Sequence, residues 1–449
     1  MARPAPLSGF PEWLPEGRIV EQHVVDTFRR TFELWGFASI ETRAAEPLDE
    51  LLRKGEIDKE VYVLRRLHAA ADEEDAGRQL GLHFDLTVPF ARYVLENAGK
   101  LQFPFRRYQI QKVWRGERPQ EGRYREFLQA DVDVVGNGEL PFHHDVEVAQ
   151  VMAEALQVMP LPRLTLQLNN RKLIEGFYRG LGAPDVPAVM RAIDKIDKLR
   201  PDAVRELLLT EAKLDDGQAG LCLQLAAISS PDAGFADRVR ALGVSDPLLD
   251  EGLEELVRVV EGVAGLRGER FAVSADLRIA RGLDYYTGTV YETRMAGFEY
   301  LGSVCSGGRY DALASDGATT YPGVGISFGV SRVLAPLLSR GLLRATRSVP
   351  SAVLVAVTNE DDRAASAAVA SELRSRGIPV EVAPSAAKFG KQIRHADRRG
   401  IPFVWFLQSG DGGAVGHEVK DIRSGEQVAA DPGTWVPPAE DLHPRVVQG

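Results

Sequence analysis

Residues able to do chemistry converge in one stretch of this 449-residue chain: Arg115, Gln129, Asp131 and Asp133. The glutamine and the two aspartates occupy every second position. On a strand they therefore share one face, while Leu128, Ala130, Val132 and Val134 share the other. Just upstream, Tyr108, Ile110 and Trp114 alternate with Gln109, Gln111, Val113 and Arg115, and the charged turn GERPQEGRY joins the two runs. The pattern predicts a long antiparallel hairpin over 104–135, with one apolar face on the core and one polar face on a cavity. An arginine fork suits bidentate binding of a phosphate or carboxylate, and aspartates suit a cationic amine. Cross-strand ion pairs on a wet sheet face would use the same residue types, but a large protein seldom leaves its best-patterned sheet wet on one side.

Two further segments could line a ligand. In RGLDYYTGTVYE (281–292), glycines and paired tyrosines suit a strand edge that a ligand approaches closely, although a tyrosine pair also suits a core. In GGRYDAL…PGVGISFGVSR (307–332), Gly323, Gly325 and Gly329 miss the dinucleotide fingerprint because the third glycine is one residue late. There is no GxxxxGK[ST] loop, so any ATP site must be of another kind. His143 and His144 in HHDVE match no zinc spacing, so no metal site held by protein side chains is expected. His83, in GLHFDLT, reads as a strand residue rather than a catalytic base, and neither a GxSxG elbow nor a cysteine-nucleophile signature occurs.

The elements that must position these residues can be outlined. Val20, Val24, Phe28 and Phe32 recur every fourth residue and predict a helix over 17–35, stopped by Gly36. Residues 70–79 are polar and loop-like. Residues 184–262 are rich in Ala, Leu, Arg and Asp with Phe235 the only aromatic. They read as a helical insertion, set at about 175–265, with Leu253, Leu256, Val257 and Val260 in its stripes. Gly-rich, strand-like sequence returns at 270–330. The expected division is a domain over 1–340, a linker at 341–350 and a second domain over 351–449. In the last, strands (352–357, 380–383, 402–407) alternate with helices (363–376, 386–399) as in a small α/β domain around a mostly parallel sheet.

Composition narrows the class. At 44% hydrophobic and 26% charged, the chain is ordinary for a globular protein. A net charge of −10 speaks against a general DNA-coating protein, but two segments run the other way. One is 106–126, with Arg106, Arg107, Lys112, Arg115, Arg118, Arg123 and Arg125. The other is 388–400, where Lys388, Lys391, Arg394, Arg398 and Arg399 face Asp397 alone. Such runs are often only solvated faces. No stretch of 18 apolar residues suggests a membrane span, the first residues lack a secretory h-region, and Cys222 and Cys305 form no disulfide framework. The expected setting is reducing cytoplasm.

Taken together, GLHFDLTVPFARYV (81–94), KVWRGERPQEGRYREFLQADVDVVG (112–136), RGLDYYTGTVYE and PGVGISFGVSR closely resemble the histidyl-tRNA synthetase family, in that family's order and spacing. The likeness extends to KFGKQIRHADRRGIPFVW (388–405), which is similar to its C-terminal anticodon-binding domain. The resemblance implies an α+β class II synthetase core, an antiparallel sheet flanked by helices with a helical insertion, plus a C-terminal α/β anticodon-binding domain. It implies a homodimer that activates L-histidine with Mg²⁺-bound ATP and transfers it to the 3′ end of tRNA(His).

By the same resemblance, Asp85, Leu86, Thr87 and Gln129 hold the histidine, the first, third and fourth of them at its α-amino group. Asp133 and Tyr286 address the imidazole, and Tyr285 lines the pocket. Arg115 binds the α-phosphate and the carboxylate region, Arg281 stabilises charge during transfer, and Arg123 and Arg332 serve the rest of ATP. Arg118 and Gln120 face the tRNA acceptor end, and Lys391 and Arg394 the RNA on the second domain. Two departures stand out. Arg43 sits where the first motif usually has proline, and Ser331 where a glutamate is common. The competing reading is a non-catalytic, histidine-sensing regulatory paralogue. Such proteins lack the C-terminal domain and commonly erode the ATP contacts.

Overall fold

A computed structural model describes residues 5–52, 60–67, 79–279, 286–315, 317–409 and 415–449. The chain falls into two compact units, Met1–Pro11 with Val24–Pro336 and Glu12–His23 with Leu337–Gly449.

In the first unit the second half of helix α1 (Pro15–Leu34) turns its predicted stripe inward, with Phe28 packed on Phe32 and on Phe328 at 5.4 and 5.0 Å between ring centroids. After strand β1 (Ala38–Ser39) comes a small sheet of β2 (Ala45–Pro47), β3 (Val63–Leu64) and β4 (Leu80–Leu82), with helices α2 (Leu48–Leu51) and α3 (Thr87–Asn97) beside it in sequence. The predicted hairpin follows as β5 (Phe105–Trp114) and β6 (Glu126–Val135), antiparallel over its whole length. Helix α4 (His143–Gln157) and strand β7 (Leu164–Asn170) lead into the insertion. It consists of α5 (Arg171–Gly180), α6 (Val186–Ile193), α7 (Pro201–Thr210), α8 (Asp216–Ala226), strand β8 (Ser229–Ser230), α9 (Phe235–Arg240) and α10 (Pro247–Gly262). Along α10 the buried stripe is Leu249, Leu253, Leu256, Val259 and Val260. Val257 turns half outward, because the period of 3.6 drifts off a strict three-four spacing. Strands β9 (Phe271–Asp276), β10 (Thr289–Met295), β11 (Cys305–Ser315) and β12 (Thr320–Gly329) and helix α11 (Val330–Ser339) complete the unit.

Nine strands form the main sheet in the order β1-β5-β6-β12-β11-β10-β7-β9-β8. Its centre, from β5 to β7, is antiparallel as expected, but β1 on β5 and β9 on β7 are parallel, so the sheet is mixed. Its apolar side lies against α4 and α10, whose Val148, Val151, Met152, Leu256 and Val259 are buried. Register then fixes the other side. Gln109, Asp131, Ser327, Ser306, Glu292 and Gln167 stand opposite one another across β5, β6, β12, β11, β10 and β7, a polar row through the middle of the sheet.

In the second unit, β13 (Leu343–Ala345) pairs with the C-terminal β19 (Val446–Gln448), so the span expected to be a linker carries a strand. Arg347, also in that span, is buried and donates to the carbonyls of Asp441, Leu442, Val349 and Pro350. The α/β fold is built from β14 (Val353–Val355), α12 (Arg363–Ser375), β15 (Val380–Val382), α13 (Phe389–Arg399), β16 (Phe403–Ser409), β17 (Val415–Asp421), β18 (Gln427–Ala429) and α14 (Ala439–Leu442). The sheet order is β15-β14-β16-β17-β18, with the first three strands parallel and the last two added antiparallel. Strands β17 and β18 were not expected from sequence, because their alternating, charged residues lack an apolar run. Trp405 is fully buried against Trp435.

Candidate active site

On the polar side of the main sheet two recesses adjoin, and both are lined by Ser306 and Ser327. The larger encloses about 770 Å³ out to its open mouth, and Arg115, Arg123, Arg332, Tyr124, Phe127 and Gln129 are among its walls. The smaller encloses about 260 Å³ and is lined by Thr87, Asp131, Asp133, Tyr286 and Tyr310 over a floor that includes Gly307, Gly308 and Gly325. The hairpin builds both: β6 carries Gln129, Asp131 and Asp133 on one face, and Arg115 follows the end of β5.

The arginine cleft is loosely tied. Arg115 donates through Nε to the Phe84 carbonyl at 3.0 Å and lies over the Phe127 ring. Its only described carboxylate partner is Glu117 at 3.8 Å, and Arg123 meets the same Glu117 at 3.6 Å. Arg332, in the first turn of α11, donates to the Leu301 carbonyl. The cleft thus presents three guanidinium groups against one partly exposed carboxylate, an arrangement suited to a polyanion. Arg118 and Gln120 are exposed on the turn between β5 and β6, where Gln120 and Arg123 exchange backbone hydrogen bonds.

The aspartate recess is buried and tightly organised. Asp133 faces Arg107 across the hairpin, their charged atoms 2.7 Å apart, and its Oδ1 accepts from the Tyr310 hydroxyl at 2.8 Å. Arg107 is fully buried, with its guanidinium 4.1 Å from the centre of the Phe90 ring. Two glycines make room. A Cβ at Gly325 would collide with the Asp133 carboxylate, and one at Gly308 with the Tyr286 ring, so only glycine serves at these points. Burial pushes the Asp131 carboxyl from an ordinary 3.8 up to about 7; Arg107 opposes the shift, and neighbouring Asp133 adds to it. The Tyr286 phenol is raised by burial, then by Asp133, Asp85, Asp131 and Glu292.

The sequence-predicted residues divide as follows. Arg115, Arg123, Gln129 and Arg332 line the cleft, and Thr87, Asp133 and Tyr286 the recess. Asp85 and Leu86 are buried immediately before α3. There Asp85 Oδ1 accepts from the Val88 N–H at 3.1 Å, and the Leu86 side chain is in the core. Arg281 and Tyr285 lie outside the described residues. His83 is buried, its Nε2 2.8 Å from the Lys112 carbonyl, and burial lowers its pKa. Ser331, one of the two departures, is buried, and its hydroxyl accepts from the Leu128 N–H at 2.9 Å, tying α11 to β6. Arg43, the other, is half exposed and pairs with Glu46 at 3.1 Å. Arg107 and Tyr310 were not singled out from sequence. Arg107 shares the alternation phase of Gln109 and Gln111, so extending that phase by one step would have found it, whereas nothing local marks Tyr310.

In the second unit α13 turns Ala396 into the core and exposes Lys388, Lys391, Arg394 and Arg398. Its Gln392 clamps both backbone groups of Val357, at 2.9 and 2.8 Å. Lys391, His395 and Arg398 edge a hollow of about 360 Å³ against residues 383–387; Arg394 does not line it. Among the described residues, no cluster of His, Cys, Asp and Glu could hold a metal ion, and no helix is long and apolar enough to cross a membrane.

Known proteins match at every level. The model of the histidyl-tRNA synthetase family covers residues 9–333, and that of an anticodon-binding domain covers 352–432. A histidine–tRNA ligase of Cutibacterium acnes is 63% identical over 100% of this chain and 99% of its own. That of Micrococcus luteus is 60% identical over the same shares. The crystal structure of histidyl-tRNA synthetase from a Nostoc species superposes with a TM-score of 0.83 at 33% identity, covering 96% of this chain and 97% of that one. With the family model spanning residues 9–333 and relatives at 60% identity or more along the whole chain, the chain belongs to the histidyl-tRNA synthetase family.

Proposed function

We infer that this chain is a histidine–tRNA ligase. It activates L-histidine with ATP and transfers the histidyl group to the 3′-terminal adenosine of tRNA(His). The observation that carries this reading is the adjacency of a cationic cleft and an anionic recess, both lined by Ser306 and Ser327. A triphosphate fits the first and an amino acid with a cationic amine fits the second. The amino-acid carboxylate then meets the α-phosphorus at their common edge.

In the first step a histidine carboxylate oxygen attacks the α-phosphorus, the bond to the bridging oxygen breaks, and pyrophosphate leaves. Arg115 neutralises charge on the α-phosphate and Arg332 holds the γ-phosphate, with Arg123 beside them and Arg281 supplying the charge that counts during transfer. ATP brings its Mg²⁺ as part of the substrate. Asp85, Thr87 and Gln129 hold the α-ammonium. Asp133, oriented by Arg107 and Tyr310, and Tyr286 address the imidazole, and Tyr285 completes the pocket. Polar partners for both ring nitrogens reject apolar side chains of similar shape. In the second step the terminal hydroxyl of the tRNA attacks the histidyl carbonyl and AMP leaves.

Residues 1–340 form the catalytic domain and 351–449 the anticodon-binding domain. Arg118 and Gln120 meet the acceptor end, and Lys391 and Arg394 the anticodon side. The enzyme acts as a cytoplasmic homodimer. The regulatory-paralogue reading is disfavoured by the match to an anticodon-binding domain and by the intact arginines of the cleft. Histidine-dependent exchange of labelled pyrophosphate into ATP, without tRNA, tests the reading. Its absence with an intact fold would contradict it.

A further inference from the structure

In the aspartate recess and at its edge, two buried oxygens have no hydrogen-bond partner among the described residues, Asp131 Oδ1 and Gln129 Oε1. Both belong to β6, two positions apart on its polar face, so their Cα atoms are about 7 Å apart along the strand. The Ser327 hydroxyl approaches the Asp131 carboxyl as a donor, and Asp131 Oδ1 and Gln129 Oε1 remain open to a further donor. Gln129 has committed its amide to donating to the Ser327 hydroxyl at 2.7 Å. Across the hairpin from Asp131, the Gln109 amide donates to Thr42 and Gln111 instead. Asp133, the neighbouring carboxylate, is engaged by Arg107 and Tyr310.

A buried carboxylate oxygen and a buried amide oxygen, both unmet, cost free energy until a donor arrives. The group that can satisfy both at once, and offset the Asp131 charge, is a primary ammonium with its three N–H bonds. An imidazole N–H would reach only one. We propose that Asp131 is a further substrate-contacting residue, a second carboxylate that pairs with the α-ammonium of the amino acid beside Gln129 and Asp85. This assignment rests on reading the recess as the histidine pocket. The raised pKa of Asp131 agrees with it, because a carboxyl held near neutrality by burial is returned to its charged form when a cation binds.

The test compares wild type with Asp131→Asn, using histidine and 3-(imidazol-4-yl)propionate, which is histidine without its amine. Histidine is read by KM in pyrophosphate exchange and by direct binding, and the analogue by direct binding. In Asp131→Asn, histidine should weaken by about tenfold to a hundredfold, on the scale of a lost charge-assisted hydrogen bond. Binding of the analogue and the KM for ATP should not change. Equal weakening of both ligands would mean that Asp131 only supports the pocket, and no weakening of either would mean that it points elsewhere. Either result overturns the assignment while leaving the ligase reading intact. Wild type that fails histidine-dependent exchange overturns that reading, and the assignment with it. Asp131→Ser, which is smaller and uncharged, is measured in parallel should the asparagine variant fail to fold, and the same discrimination is expected of it.

Discussion

The two recesses that share Ser306 and Ser327 are built on opposite principles. In the arginine cleft the charges are partly exposed, Arg123 and Arg115 stand 3.6 and 3.8 Å from Glu117, and Arg115 and Arg332 are otherwise tied to the Phe84 and Leu301 carbonyls. In the aspartate recess Arg107 is fully buried, and Asp133 is held from two sides at 2.7 and 2.8 Å. The difference fits the ligands proposed for each. A triphosphate carries enough charge to organise guanidinium groups as it binds. A small amino acid must be told apart from others by atoms already in place, which requires a rigid, desolvated frame. Loose pairs near solvent contribute little to stability, whereas a buried pair is costly to break.

The sharpest way to break this comparison is to remove one charge from each side. Arg107→Met leaves Asp133 buried without its cation and should destabilise the fold by about 3–5 kcal/mol in chemical denaturation. Glu117→Ala should cost at most about 1 kcal/mol. Similar losses in the two would erase the distinction. On the catalytic side, Arg115→Ala should lower the exchange rate by about 10²–10³-fold, as expected for a donor aimed at developing charge, while histidine still binds. A rate near wild type would remove Arg115 from the phosphate.

A smaller effect sharpens the picture of the recess. Asp131 has its pKa raised to about 7 in the folded protein, so the protonated form is favoured there. Its contribution to stability is present at low pH, near and below its ordinary 3.8, and is lost as pH rises through about 7. Melting temperature without ligand should therefore fall between about pH 4 and 7 in wild type relative to Asp131→Asn, and histidine affinity should rise over the same window. The groups facing Asp131 are Arg107, Gln109, Asp133, Ser327 and Asp85. A flat difference across this window would mean that Asp131 is already ionised. The smallest effect belongs to the second unit. Replacing exposed Lys391 and Arg394 with alanine should lower tRNA affinity and flatten its salt dependence by roughly 0.7 in log–log slope per lost phosphate contact, with exchange unaffected. An unchanged slope would reduce that helix face to a solvated one.

Much of this was legible in the chain. The alternation of β6 gave the face carrying Gln129, Asp131 and Asp133, because a period of two assigns sides without any tertiary knowledge. It could not give Arg107 as the partner of Asp133, which depends on hairpin register, nor Tyr310, which reaches Asp133 from 177 residues away. Arg106 and Arg107 looked alike in a basic run. The sheet separates them, sending Arg106 to Glu147 at 2.6 Å and Arg107 into the recess. Leu343–Ala345 escaped for a similar reason, since its strand partner, Val446–Gln448, lies at the far end of the chain. Local pattern fixes faces, and only the closed fold fixes partners.

On the proposed reading, one recess takes the amino acid and the adjoining cleft takes ATP. The most direct test is ATP–pyrophosphate exchange by the full chain without tRNA, run with each of the standard amino acids. Exchange should require histidine and fall by about 10²–10³-fold in Arg115→Ala. Exchange supported equally by other amino acids, or none with histidine in a folded protein, would contradict that reading.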